Sequence, residues 1–120
     1  MIYGVGNDII EIERVMKACS KESFLKRVYT DSERREALTH RRRLAGDFAV
    51  KEAVSKALGT GFAGFAPSEI EVLRDEYGKP YVKLYDRAAA LAEEAGISRI
   101  HVSISDISGL VCAFAVAECE

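Results

Sequence analysis

The stretch Leu44 to Gly61, reading LAGDFAVKEAVSKALGTG, constrains this chain more than any other. Leu44, Phe48, Ala49, Ala53, Val54, Ala57 and Leu58 recur at helical spacing and predict the strongest helix of the chain over about 40–58. Gly59, Thr60 and Gly61 follow the last periodic residue, where a glycine ends a helix well. Glu52 and Lys56 stand four residues apart on this helix and project from one face. Lys51, next to Glu52, points elsewhere.

The pattern around this helix predicts an α+β fold in one domain, 1–120. Residues 2–10 mix β-branched residues with glycine and read as a strand ending near Asp8. Short helices are expected at 11–18, 20–28 and 31–38, with Ser20 and either Asp31 or Ser32 as N-caps. The glycine-rich segment 59–67 reads as a turn or lid leading into a strand at 69–74. Tyr77-Gly78-Lys79-Pro80 is a turn, followed by a strand at 81–84 and an alanine-rich helix at 85–95 stopped by Gly96. Ile100, Val102 and Ile104 alternate with polar residues, so that strand buries one face. Leu110 to Ala117 is apolar on both faces and reads as a buried strand, joined to its predecessor through Ser108-Gly109.

Several classes of protein are set aside by composition. No apolar run approaches the roughly 18 residues of a membrane span. The start, MIYGVGNDIIEIER, has neither the basic n-region nor the apolar stretch of a signal peptide. The cytoplasm is therefore the expected compartment, and neither a membrane nor a nucleic acid is an expected partner. The three cysteines form no CxxC pair, which argues against a disulfide framework or a zinc site, and Cys112 reads as a small core residue. His40 and His101 are isolated and suggest no metal triad, although His101 is placed to line a cleft. The net charge of −2 hides an asymmetry: residues 14–43 hold ten Lys or Arg against four Asp or Glu. A basic segment on an acidic protein suggests an acidic partner; a solvated helical surface is the alternative.

Two constellations carry chemistry. Gly6-Asn7-Asp8-Ile9-Ile10-Glu11-Ile12-Glu13-Arg14 places a carboxylate at a strand end, and the long helix supplies Glu52 and Lys56. Taken singly, Asp8 reads as a helix N-cap and Glu52–Lys56 as a surface ion pair of small worth. Together they resemble the holo-acyl-carrier-protein synthases, the small single-repeat kind of phosphopantetheinyl transferase. Gly6, Asp8, Glu11 and Arg14 match that family's G-x-D-x-x-E-x-x-R pattern, and FAVKEAVSKALGTG matches its helix. Phe24-Leu25-Lys26-Arg27, Gly78-Lys79-Pro80 and His101-Val102-Ser103-Ile104-Ser105 follow in the family's order, so the resemblance covers nearly the whole chain.

The resemblance implies transfer of 4'-phosphopantetheine from coenzyme A to a serine of acyl carrier protein, with release of adenosine 3',5'-bisphosphate. It implies a magnesium ion held by Asp8 and Glu52, with Glu11 as a further candidate, and Lys56 as a point charge on the phosphates. Asp8, Glu52 and Lys56 are then the catalytic set. The base for the serine is either a metal-held water or a carboxylate such as Glu52. Coenzyme A would meet Lys56, Gly59, Gly61, Lys79, Pro80 and Ser103, the glycines letting backbone approach the pyrophosphate. An ordinary helix stop and a turn without function are the alternatives at 59–61 and 78–80. Arg14, Lys17, Lys21 and Arg27 would face the acidic carrier protein. The implied architecture is a helix-rich half and an antiparallel sheet, assembled as a homotrimer with active sites between subunits. The strand at 110–117 is a candidate for the intersubunit packing.

Two positions depart from the family pattern. Asp47 stands where a basic residue is usual, and Asp106 where histidine is usual; both positions lie on the coenzyme A side in that family. Two carboxylates near a phosphate dianion repel it. Three readings are open: Arg41, Arg42 and Arg43 compensate, the nucleotide takes another pose, or the chain is a non-catalytic carrier-protein-binding homologue. A structural homo-oligomer whose helix only packs is a third class of function.

Overall fold

The computed structural model describes residues 1–120. Helix α4 (Arg43–Leu58) lies across one face of a three-stranded antiparallel sheet, ordered β1 (Ile2–Glu11), β5 (Leu110–Cys119), β4 (Ile97–Ile107). The covered face carries almost no side-chain bulk. Gly4, Gly6 and Asp8 of β1 sit beside Ala117, Ala115 and Ala113 of β5. Ala49, Ala53 and Ala57 of α4 come down on them, all at most 2% exposed. A Cβ on Gly6 would fall 2.0 Å from the Ala53 carbonyl oxygen, and one on Gly4 2.3 Å from that of Ala57. Helix backbone therefore rests on strand backbone, an approach that only glycine permits.

The remaining elements surround this seam. Helices α1 (Ile12–Ala18), α2 (Glu22–Val28) and α3 (Asp31–Glu36) follow β1. A 3-10 turn at Pro67–Glu69 leads to a two-stranded antiparallel sheet of β2 (Ile70–Arg74) and β3 (Pro80–Leu84), and α5 (Asp86–Glu94) precedes β4. Helix α4 stops at Gly59, whose φ of 86° is the left-handed conformation that glycine supplies. The α+β expectation holds. No helix is long and apolar enough to cross a membrane.

Several local expectations are corrected. Strand β1 runs past Asp8 to Glu11, so Asp8 sits in the ladder opposite Ala113 and caps no helix. The N-cap of α2 is Lys21, because the Ser20 hydroxyl turns back to donate to the Lys17 carbonyl. Thr30, not Asp31 or Ser32, caps α3 in a capping box with Glu33. Strand β5 is buried on one face only. Its other face presents Cys112, Phe114 and Val116 outward beside Val5 and Ile9 of β1. Cys112 is therefore half-buried on the outer face and not a core residue. His101 is also on that face, paired with Glu118 at 2.9 Å, and lines no cleft.

Lys51 does point away from Glu52. It is fully buried with Glu33, its Nζ 2.9 Å from the carboxylate, and it also donates to the Pro67 and Ile70 carbonyls. Glu33 in turn accepts from the Thr30 and Val72 amides, so both charges are hydrogen-bonded as well as paired.

Substituting Gly6→Ala is expected to destabilise the protein by about 3 kcal/mol in urea unfolding, the upper end for overpacking a close contact. A loss below about 0.5 kcal/mol, the range of an ordinary surface change, would contradict the backbone contact.

Candidate active site

The close seam brings Asp8 to Lys56. Asp8 points inward from β1, and Lys56 stands on the last turn of α4. The Lys56 ammonium lies 3.2 Å from Asp8 Oδ1 and donates to the Asn7 carbonyl at 2.9 Å. Its salt bridge is thus made to a distant strand and not to Glu52, its neighbour on the helix. Glu52 is half-buried one turn earlier. Burial raises its carboxyl above the ordinary carboxylate value, the charge of Asp8 adds to the rise, and Lys56 opposes it.

Asp8 and Glu52 share the wall of a cavity of about 590 Å³ whose apolar lining includes Val15, Phe24, Phe48 and Leu110. Glu11 and Arg14 stand at its edge, 4.0 Å from each other. An apolar cleft with a few convergent charged groups is the usual form of a substrate site. No group of three or more His, Cys, Asp or Glu is gathered for a metal, so Glu11 does not complete a protein cage with the other two. Two neighbouring carboxylates, one held above its ordinary value partly by the other, fit a magnesium ion, which keeps waters and takes substrate oxygens.

The other predicted residues fall into three groups. Gly59 and Gly61 fold back on the turn carrying Lys56, their amides donating to the Lys56 and Ser55 carbonyls. Lys79 and Pro80 belong to the β2–β3 connection, where the Lys79 amide is held by the Asp75 carboxylate. They line no part of the cleft. Ser103 is exposed on the outer face of the sheet, opposite Phe114, and is not brought to Asp8 within one chain. Of the basic residues, Arg14 edges the cleft, Lys17 follows it on α1, and Lys21 begins α2. Arg27 stacks over Phe24 at 5.7 Å. Sequence reasoning did not single out Val15, Phe24, Phe48 and Leu110 as cleft walls. Phe48 lies four residues before Glu52, which was the available signal.

Asp47 does not stand bare. It is 3% exposed, and Arg74 of β2, which sequence reasoning did not single out, places Nη1 2.9 Å from its Oδ1. The guanidinium faces the carboxyl without a well-aligned hydrogen bond, since Oδ1 has no hydrogen-bond donor. Burial pushes the Asp47 carboxyl up to about 7; Arg74 and Lys51 pull it down and Glu33 adds to the rise. Asp106, by contrast, is exposed near the β4–β5 turn.

Two carboxylates and a lysine meet where the helix–sheet seam opens on an apolar cleft, the setting of an enzyme site. Residues 4–115 match the model of the 4'-phosphopantetheinyl transferase superfamily, and the chain belongs to that family. It is 53% identical over 118 residues to the holo-[acyl-carrier-protein] synthase of Lachnoclostridium phytofermentans, covering 98% of this chain and 97% of the relative. Among solved structures it resembles the holo-[acyl-carrier-protein] synthase of Neisseria meningitidis, with a TM-score of 0.90 at 37% identity over 98% and 99% of the two chains. It also resembles that of Helicobacter pylori in complex with coenzyme A, with a TM-score of 0.83 at 30% identity over 95% and 99% of the two chains.

The raised Asp47 carboxyl predicts a pH effect on stability. The folded protein keeps this proton up to about 7, whereas an unfolded aspartate loses it near about pH 4. The folded state therefore binds more protons across that window, and the contribution, full below it, is lost as pH rises through it. Asp47→Asn is expected to remove this fall. Urea midpoints between about pH 4 and 7.5 that run parallel for the two proteins would refute it.

Proposed function

We propose that the protein transfers 4'-phosphopantetheine from coenzyme A to a serine of apo-acyl carrier protein, releasing adenosine 3',5'-bisphosphate. The meeting of Asp8 and Glu52 on one apolar cleft, with Lys56 paired to Asp8, carries this reading. The serine oxygen forms a new bond to the phosphorus that bears pantetheine, and the bond from that phosphorus to the bridging oxygen breaks. The bridging oxygen leaves with the adenosine bisphosphate. Asp8 and Glu52 would hold a magnesium ion, which when bound supplies neutralisation of charge on the pyrophosphate. Lys56, oriented by Asp8, meets a phosphate oxygen as a point charge. The serine proton would pass to water or to a carboxylate of the cleft such as Glu52. Gly59 and Gly61 let the backbone behind Lys56 approach the pyrophosphate.

The uncovered outer face of the sheet supports a homotrimer. Val5 is 55% exposed, Ile9 64% and Phe114 46%, an apolar surface that a neighbouring copy would cover. Ser103 stands on that face, so it would serve a site shared between subunits, to which Lys79 and Pro80 of the β2–β3 turn would also contribute. Arg14, Lys17, Lys21 and Arg27 would steer the acidic carrier protein to the cleft. The cytoplasm is the compartment this reaction expects. Asp47 is buried against Arg74 and does not stand as a bare acid, which favours an active enzyme over a non-catalytic carrier-binding homologue.

Asp8→Asn and Glu52→Gln are each expected to lower kcat/KM by about 100-fold or more while the fold is kept. The assay is magnesium-dependent mass gain on apo-carrier protein. Wild-type turnover in both variants would overturn the assignment. Raising salt from about 0.05 to 0.5 M shortens electrostatic range and should raise KM for the carrier several-fold. A KM indifferent to salt would remove the basic docking face.

A further inference from the structure

Helix α4 carries two files of side chains one residue out of step. Glu52 and Lys56 serve the site, whereas Lys51 and Ser55, also four residues apart, turn about 100° away from them into the core. Both buried positions hold the segment that follows the helix. The Gly61 amide donates to the Ser55 carbonyl at 3.2 Å. The Lys51 ammonium donates to the Pro67 carbonyl at 3.0 Å and to that of Ile70. The glycine-rich arc between these points leaves α4 behind Lys56 and is tied back to it one turn nearer the helix start.

The arc is held at its ends and not along its length. A Cβ on Gly61 or Gly64 would meet nothing within 4 Å, so these positions have no packed neighbour to fix them. At the exit Phe65 is buried, edge-on to Phe62 at 5.5 Å, and the Lys51 tether follows two residues later. A lysine ammonium has three donors, and here it has three partners: the Glu33 carboxylate and the two carbonyls. The Glu33 oxygens already accept from the Thr30 and Val72 amides, so Glu33 balances the charge while the carbonyls take the directed bonds. An apolar side chain of similar length would fill the same space and release the arc.

We propose that Lys51 is a positioning residue for the donor: by holding the Pro67 and Ile70 carbonyls it fixes the exit of the glycine-rich arc, and with it the backbone that meets the pyrophosphate behind Lys56. Lys51 is fully buried and lines no part of the cleft, so it acts through the arc and not on the substrate. The proposal rests on coenzyme A being the donor and on Gly59 and Gly61 facing its pyrophosphate.

The test separates this role from the stability of the core. Lys51→Met alone strands the Glu33 charge in the interior and should lower the urea midpoint whatever the lysine does for the site. Adding Glu33→Gln removes that charge and should recover much of the loss, but it does not restore the tether. In the double variant KM for coenzyme A is expected to stay raised by about tenfold, with KM for the carrier protein within about twofold of wild type. Hydrogen exchange at the Gly61 amide should quicken while the β1–β5 ladder amides keep wild-type rates. A KM for coenzyme A that returns to the wild-type value with stability, or an unaltered Gly61 exchange rate, would overturn the proposal. Failure of both variants to fold would overturn it too, since the lysine would then serve the core as a whole. A wild-type protein that transfers nothing from coenzyme A would overturn the donor reading and this proposal with it.

Discussion

The approach of α4 to β1 and β5 is the contact on which everything else in this protein depends. Two glycines and a file of alanines let the helix axis settle so low that carbonyl oxygens of Ala53 and Ala57 occupy the places of absent side chains. Asp8 lies two residues beyond Gly6 on the same strand face, and Lys56 stands between the two carbonyls on the helix. The distance that permits their ion pair is set by the smallness of their neighbours. Interiors pack at crystal-like density, so one added methyl group in this layer has nowhere to go.

The same helix carries charge into the core at two further points. Lys51 meets Glu33 of α3 and two carbonyls near the start of β2, and Asp47 meets Arg74 at the end of β2. Buried ions gain little net stability once desolvation is counted, but breaking such a pair is costly. Their consequence here is geometric. They fix the rotation of α4 against α3 and β2, and so fix which face of the helix turns Glu52 and Phe48 to the cleft. One side of α4 is thereby committed to buried ion pairs, and the adjacent side is left to line the cleft.

Much of this was legible in the chain itself where the signal is local. The long helix and its glycine stop, the 108–109 hairpin and the α+β order depend on spacing within a few residues, and they stand as read. The motif residues Asp8, Glu52 and Lys56 were also legible. Their partnership was not, because the i,i+4 rule joins Glu52 to Lys56 while the folded chain gives Lys56 to Asp8. The cap of α3 was written as Thr30 and Glu33 but competes in sequence with Asp31 and Ser32, and only the carboxylate–amide reciprocity decides between them.

Residue type and spacing sufficed for most of the elements, since propensity and periodicity act along the chain. The long-range geometry determined the rest. It turned His101 and Cys112 to the outer face of the sheet, left Ser103 across the sheet from Asp8, and brought Arg74 to Asp47 from 27 positions away. These outcomes depend on which strand lies beside which and how closely a helix approaches. No short window of sequence contains that information, because the free energy that selects it comes from burying surfaces contributed by both ends of the chain at once.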